Sequence, residues 1–328
     1  MARRYTIKRS LCWMIAEPVG NRVAGELERM MGVARMIGLG ARLLERNSLK
    51  GAPLAASWLA GCALLLSAPL LASSAMAAKK PGMRVSADYE VRFLGAKIGT
   101  FQFKSSVTGR RYVLNSNSWI KIFFGAFKWN SQSTTQGILA KKPQPKTFSF
   151  NYQIKKKRKS AALKFARGRV VELKNTPPVH YSSKYVPILP KHLVGVVDPM
   201  TAIMQMTQAT KGDPCRQTAE IFDGKRRLRL TLAPKGRVRI KDRHASGQPA
   251  FGYRCQIRFT PIAGHKKTNH IKHLARMKDM EIILRPVPSA KLLVPYQINI
   301  PTMMGSVSIL AKSIIVDNGN NPRIAMRQ

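Results

Sequence analysis

Apolar and polar residues alternate along most of the chain from Val85 onward, with turn signals roughly every ten residues, and a period of two is the mark of antiparallel strands that bury one face. YEVRFL and KIGTFQFKSSV flank Gly95-Ala96 as a hairpin, and the TGR at 108–110 turns the chain into RYVLNSNSWIKIF. Further strands are read at 126–139, 146–154, 160–166 and 169–173. The segment 175–190 carries Pro177, Pro178, Pro187 and Pro190, which bars it from a central strand and makes it an extended crossing segment. Beyond it, Asp198 is an N-cap and Pro199 suits the first helical turn. The helix they open is expected to end at Gly212, with Met200, Ile203 and Met204 on its apolar side. Such a stripe is either core filler or the lining of an apolar groove.

Strands resume at CRQTAEIFDGKRRLRLTL, GRVRIKDR, FGYRCQIRFTPIAG, DMEIILRPV, KLLVPYQINIP and GSVSILAKSIIVD, while 266–278 forms a basic loop or short helix. The expected fold is therefore mainly β: a curved antiparallel sheet, open β-barrel or sandwich, with one short helix inserted mid-chain. Its halves span about 84–174 and 198–317 within a single domain, 78–320, leaving 321–328 as a tail.

The first 77 residues read differently. Arg42, Arg46 and Lys50 precede an apolar run at 52–72 that ends in Ala75-Met76-Ala77, the order of a secretory signal cut between Ala77 and Ala78. A retained membrane helix is one alternative, and acylation of Cys62 in Leu59-Ala60-Gly61-Cys62 is another. Removal of 1–77 leaves 251 of the 328 residues. The leader takes ten of the 57 Lys/Arg and four of the 15 Asp/Glu, so 47 basic residues face 11 acidic ones, a net charge of +36. Such a chain favours anionic surroundings. With export to the periplasm, nucleic acid is not the expected partner. Anionic envelope lipid, lipopolysaccharide or cell-wall polymer takes its place, with contact to the membrane peripheral at most.

Two of the four cysteines, Cys12 and Cys62, fall in the leader. The remaining pair, Cys215 and Cys255, is expected to form a disulfide in an oxidising compartment, the alternative being two buried thiols. Asp223-Gly224 signals a hairpin. After it Arg227 and Arg229 alternate with leucines, and Arg237, Arg239 and Lys241 alternate with Val238 and Ile240. A turn at 233–236 would place all five cations on one sheet face, which requires open water or a neutralising anion. KKKRK at 155–159 is expected at a hairpin tip. His265, His270 and His273 are spaced too loosely for one metal site, and two distant cysteines do not make a zinc site. No cofactor is expected. The chain lacks the motifs of the common hydrolase, phosphate-loop and metalloprotease classes, so a non-catalytic module is expected. A hydrolase pairing Asp198 with His180 or His192 and an envelope brace held by charge are the rival readings.

FLGAKIGTFQF, LPKHLVGVVDPMTAI, CRQTAEIFDGKRRLRL, YRCQIRFTPIAG and VPYQINIPTMMGSVSI, in that order, resemble the domain-of-unknown-function 3108 family in its alphaproteobacterial form, over about Ala87 to Asp317. The resemblance implies an exported envelope protein with a curved sheet or open barrel, similar in outline to periplasmic lipoprotein carriers. It brings no catalytic residues. The long leader and the extreme basicity depart from a typical member.

Overall fold

The computed structural model describes residues 82–122, 125, 127–208, 212–241, 247–302, 305–319 and 323–327. The expected signal peptide, Cys12 and Cys62 lie outside them.

Seven strands succeed one another as a meander: β1 (Met83–Phe93), β2 (Ala96–Thr108), β3 (Arg111–Ile122), β4 (Phe127–Leu139), β5 (Pro143–Ile154), β6 (Lys157–Ala166) and β7 (Arg169–Thr176). A crossing segment then leads through helix α1 (Pro199–Met206) to a second meander. Its strands are β8 (Thr218–Phe222), β9 (Arg227–Arg239), β10 (Phe251–Ala263), β11 (Glu281–Val287), β12 (Leu292–Thr302) and β13 (Gly305–Asp317), with helix α2 (Asn269–Arg276) between β10 and β11. The meanders join through β1 and β13, which pair antiparallel at the centre of one sheet, so β7 and β8 are its two edges. The stretch expected to be a tail instead adds β14 (Ile324–Arg327), where Met326 and Ile324 face Ile314 and Val316 of β13. Alternation in its four residues was too short to be read as a strand.

The sheet is not a closed barrel: β7 and β8 do not pair with each other. The two edges overlap instead. Phe222 of β8 is buried with Phe148, Leu163, Phe165 and Val170 of β5–β7, and Asn175 Nδ2 donates to the Gly224 carbonyl at 3.0 Å. Gly224 has φ 92°, and a Cβ there would stand 2.8 Å from that of Ala161. The hairpin turn can therefore lie this close to β6 only as glycine. The crossing segment covers the seam with one bridge to each edge, Val194 to Arg169 and Val197 to Ile221.

Helix α1 fills one end of the curved sheet. Met200 and Met204 pack among Tyr112, Leu114, Phe148 and Leu163, while Ala202 and Met206 pack with Ile221, Leu232, Cys255 and Leu284. The methionine stripe is thus core, linking the two meanders, and Ile203 is half-buried beside it. The helix stops at Met206, with Thr207 Oγ1 donating to the carbonyls of Ile203 and Met204. It is shorter than the expected run to Gly212. Among the described residues no helix is long and apolar enough to cross a membrane.

Candidate functional site

The registers of β2 to β6 define which side chains share the concave face with Leu114 and Leu163. Nearest α1 the row reads Ser105, Leu114, Thr135, Phe148, Leu163. The next is Phe103, Ser116, Ser133, Phe150, Ala161; then Phe101, Ser118, Ser131, Tyr152, Lys159; then Gly99, Ile120, Trp129, Ile154, Lys157. The two middle rows are not an aliphatic core. Ser116 and Ser133 share a hydrogen bond of 2.6 Å and Ser118 and Ser131 one of 2.7 Å. Aromatic rings flank both pairs, and Phe150 lies 5.1 Å from Tyr152 between ring centroids.

Phe101, Phe103, Ser118, Phe150, Tyr152 and Lys159 keep part of their surface open, although they lie on the concave side. Small hydroxyls between large rings leave the rings standing above the serines. Each serine pair uses one hydroxyl hydrogen internally and leaves the other to donate elsewhere. Burial, opposed by Arg226, pushes the Tyr152 phenol up to about 12, so it is a neutral donor at physiological pH. Burial, and then the neighbouring Lys157, lowers the pKa of the Lys159 ammonium. Arg226 is ion-paired with Asp223 at 2.7 Å. Trp129 Nε1 is buried without a hydrogen-bond partner.

The expected site residues fall elsewhere. Asp198 is wholly buried as the α1 cap, accepting from Met200 N at 2.9 Å, Thr201 N at 3.1 Å, Thr135 Oγ1 at 2.7 Å and Thr201 Oγ1 at 2.5 Å. Burial raises its pKa against those four bonds. No histidine is among its donors: His180 is exposed, and His192 Nδ1 accepts from Leu189 N.

The five cations do not form one field. The turn expected at 233–236 is absent, because β9 runs unbroken from Arg227 to Arg239. Between the pairs Cys255↔Pro234 and Tyr253↔Arg237 it bulges, with Gly236 at φ 101°, and the extra residue switches the faces of the residues after it. Arg227 and Arg229 are ion-paired with Glu220. Arg237 stacks over Phe251 and Tyr253 at 5.0 and 5.3 Å, while Arg239 and Lys241 are exposed.

Cys215 and Cys255 form the disulfide, with Cα atoms 5.2 Å apart. KKKRK makes the β5–β6 hairpin tip, with Lys155 at φ 53°. His265 is buried rather than solvated, and burial holds its pKa below the ordinary imidazole range. Among the described residues no group of three or more metal-ligating side chains comes together. A buried arginine that alternation did not single out, Arg285, lies 5.8 Å from the ring of Tyr296.

The geometry defines a class: an open, rolled antiparallel sheet around a concave face of aromatic rings and hydroxyls, with a helix packed at one end. Residues 88–312 match the family described as protein of unknown function (DUF3108), and the chain belongs to that family. Neither a curated protein nor a solved structure matches it.

Proposed function

We propose that this is an exported, non-catalytic binding or carrier module that holds an amphiphilic or anionic cell-envelope component against the concave face of its sheet. The observation that carries the proposal is the pair of middle rows, where rings flank hydroxyl pairs and stay partly exposed. Binding sites of this kind are concave and mainly apolar, with a few placed polar groups. One row nearer α1, Leu114, Phe148 and Leu163 are instead buried in the core. The leader and the net charge of +36 that remains after its removal support delivery to an anionic envelope.

Native mass spectrometry of untagged protein, purified gently from its own envelope, tests the proposal. A lipid-sized adduct that vanishes on denaturation is expected, and the double variant Ser131→Leu/Ser133→Leu should lose it while still folding. A clean apo mass for the wild type would overturn the carrier reading. The denatured mass also reads whether the chain begins at Ala78 or at an acylated Cys62. A brace held to the envelope by charge is favoured by one observation, the exposed cations at the β5–β6 tip. It predicts salt-sensitive pelleting with envelope fragments and no adduct.

A further inference from the structure

We infer that the ligand of the concave face is an amphiphile with one anionic head, a phosphate or carboxylate, and that the head lies on the row Ser118, Ser131, Tyr152 and Lys159. The inference rests on reading this face as a binding site. Four adjacent strands set two hydroxyls, a phenol and an ammonium side by side, at strand spacings of about 4.8 Å. Tyr152 and Lys159 donate, the Ser118–Ser131 pair keeps one hydroxyl hydrogen to donate, and the row has no carboxylate. Donors set in one row on a partly desolvated surface suit an anion, because hydrogen bonds to a charged acceptor are about twice as strong as neutral ones.

Charge also sets the sign. Lys157 lies two positions from Lys159 on the same face, so a cationic head would be repelled. The nearby acid, Asp223, is already engaged by the Arg226 side chain and by the backbone N–H groups of Lys225 and Arg226. Trp129, next to Ser131 in the adjoining row, contributes a buried N–H that has no acceptor, and buried donors are rarely left so. An oxygen-rich head in the adjoining Ser131 row would supply one. The apolar body then meets Phe103 and Phe150 in the next row. Beyond them Leu114, Phe148 and Leu163 close the floor against Met200.

Calorimetric titration of the full chain with dodecyl phosphate, dodecanol, dodecyltrimethylammonium and inorganic phosphate tests the placement. Dodecyl phosphate is expected to bind at least about tenfold more tightly than dodecanol, and the ammonium probe more weakly than either. Lys159→Gln should reduce the phosphate preference to about threefold or less, weakening dodecyl phosphate far more than dodecanol, and Lys159→Arg should restore it. The indole N–H resonance of Trp129, identified by its loss in Trp129→Phe, should shift with dodecyl phosphate and not with dodecanol. An unchanged preference in Lys159→Gln would overturn the head placement and leave the binding reading standing. Failure of every amphiphile to bind would overturn both. Inorganic phosphate binding as tightly as dodecyl phosphate would show an anion site without an amphiphile and overturn the inference as well.

Discussion

Thr201 has one hydroxyl hydrogen and gives it to Asp198, so in the 3.0 Å contact between Thr201 Oγ1 and the Tyr112 hydroxyl the tyrosine is the donor. Donation therefore runs from Tyr112 through Thr201 to Asp198 and from Thr135 to Asp198, tying β3 and β4 to α1. Gly137, opposite Tyr112 on β4, leaves room for the ring: a Cβ there would stand 2.3 Å from it. Asp198→Ala removes the cap and strips two buried hydroxyls of their acceptor, at a cost of about 2–4 kcal/mol. For a domain of this size that lowers Tm by about 5–15 °C. Asp198→Asn keeps Oδ1 for Thr135 and the backbone donors, and Thr201 can rotate to accept from the new amide, so about 1 kcal/mol is expected. Thermal melts of both variants decide the point. Equal losses would mean that the charge, not the acceptor geometry, holds the cap. The cap itself was legible because Asp198 and Pro199 act on the residues beside them. Thr135 was not, since it lies 63 positions away in a strand whose pattern shows only that it faces inward.

Alternation located nearly every strand, because a period of two survives wherever one face is buried. It failed on β9, where Ala233-Pro234-Lys235-Gly236 has the composition of a turn. The strand absorbs that stretch as a bulge with glycine at the left-handed position. The ladder to β10 resumes on its far side, and Arg237 is carried onto the rings of Phe251 and Tyr253. The serine rows were half legible. SNS in β3 and SQS in β4 put polar residues on both faces, which excludes an ordinary core, but only the register shows that Ser116 meets Ser133 and Ser118 meets Ser131. The disulfide fixes the connection between α1 and β8 to the middle of β10, closing a loop with a sequence separation of 40. In the chain-entropy view that constraint stabilises the fold by about 4 kcal/mol. Reduction, or Cys215→Ser/Cys255→Ser, is expected to lower Tm by about 8–16 °C. A melt that reductant leaves unchanged would mean that the bond does not form in solution.

The order of the strands explains why one chain of this length rolls up without closing. The first meander runs from β1 at the centre to β7 at one edge and the second from β8 at the other edge to β13 at the centre, so the segment joining β7 to β8 has to cross the gap. Six prolines in that segment, Pro177, Pro178, Pro187, Pro190, Pro199 and Pro214, deny it a full ladder with either edge, which is why the seam is held by Phe222, the Gly224 turn and two isolated bridges instead of a run of backbone bonds. The prolines were visible in the sequence, and so was the crossing. The overlap of the edges was not, because it depends on one glycine meeting Ala161. Hydrogen exchange reads this arrangement directly, since local opening is easiest where backbone bonds face solvent. Amides in the middle of β1 and β13, paired on both sides, should be the slowest in the molecule. Every second amide of β7, facing the seam, should exchange fast even while β6 remains protected. Equal protection in β7, β1 and β8 would mean that the two edges pair in solution.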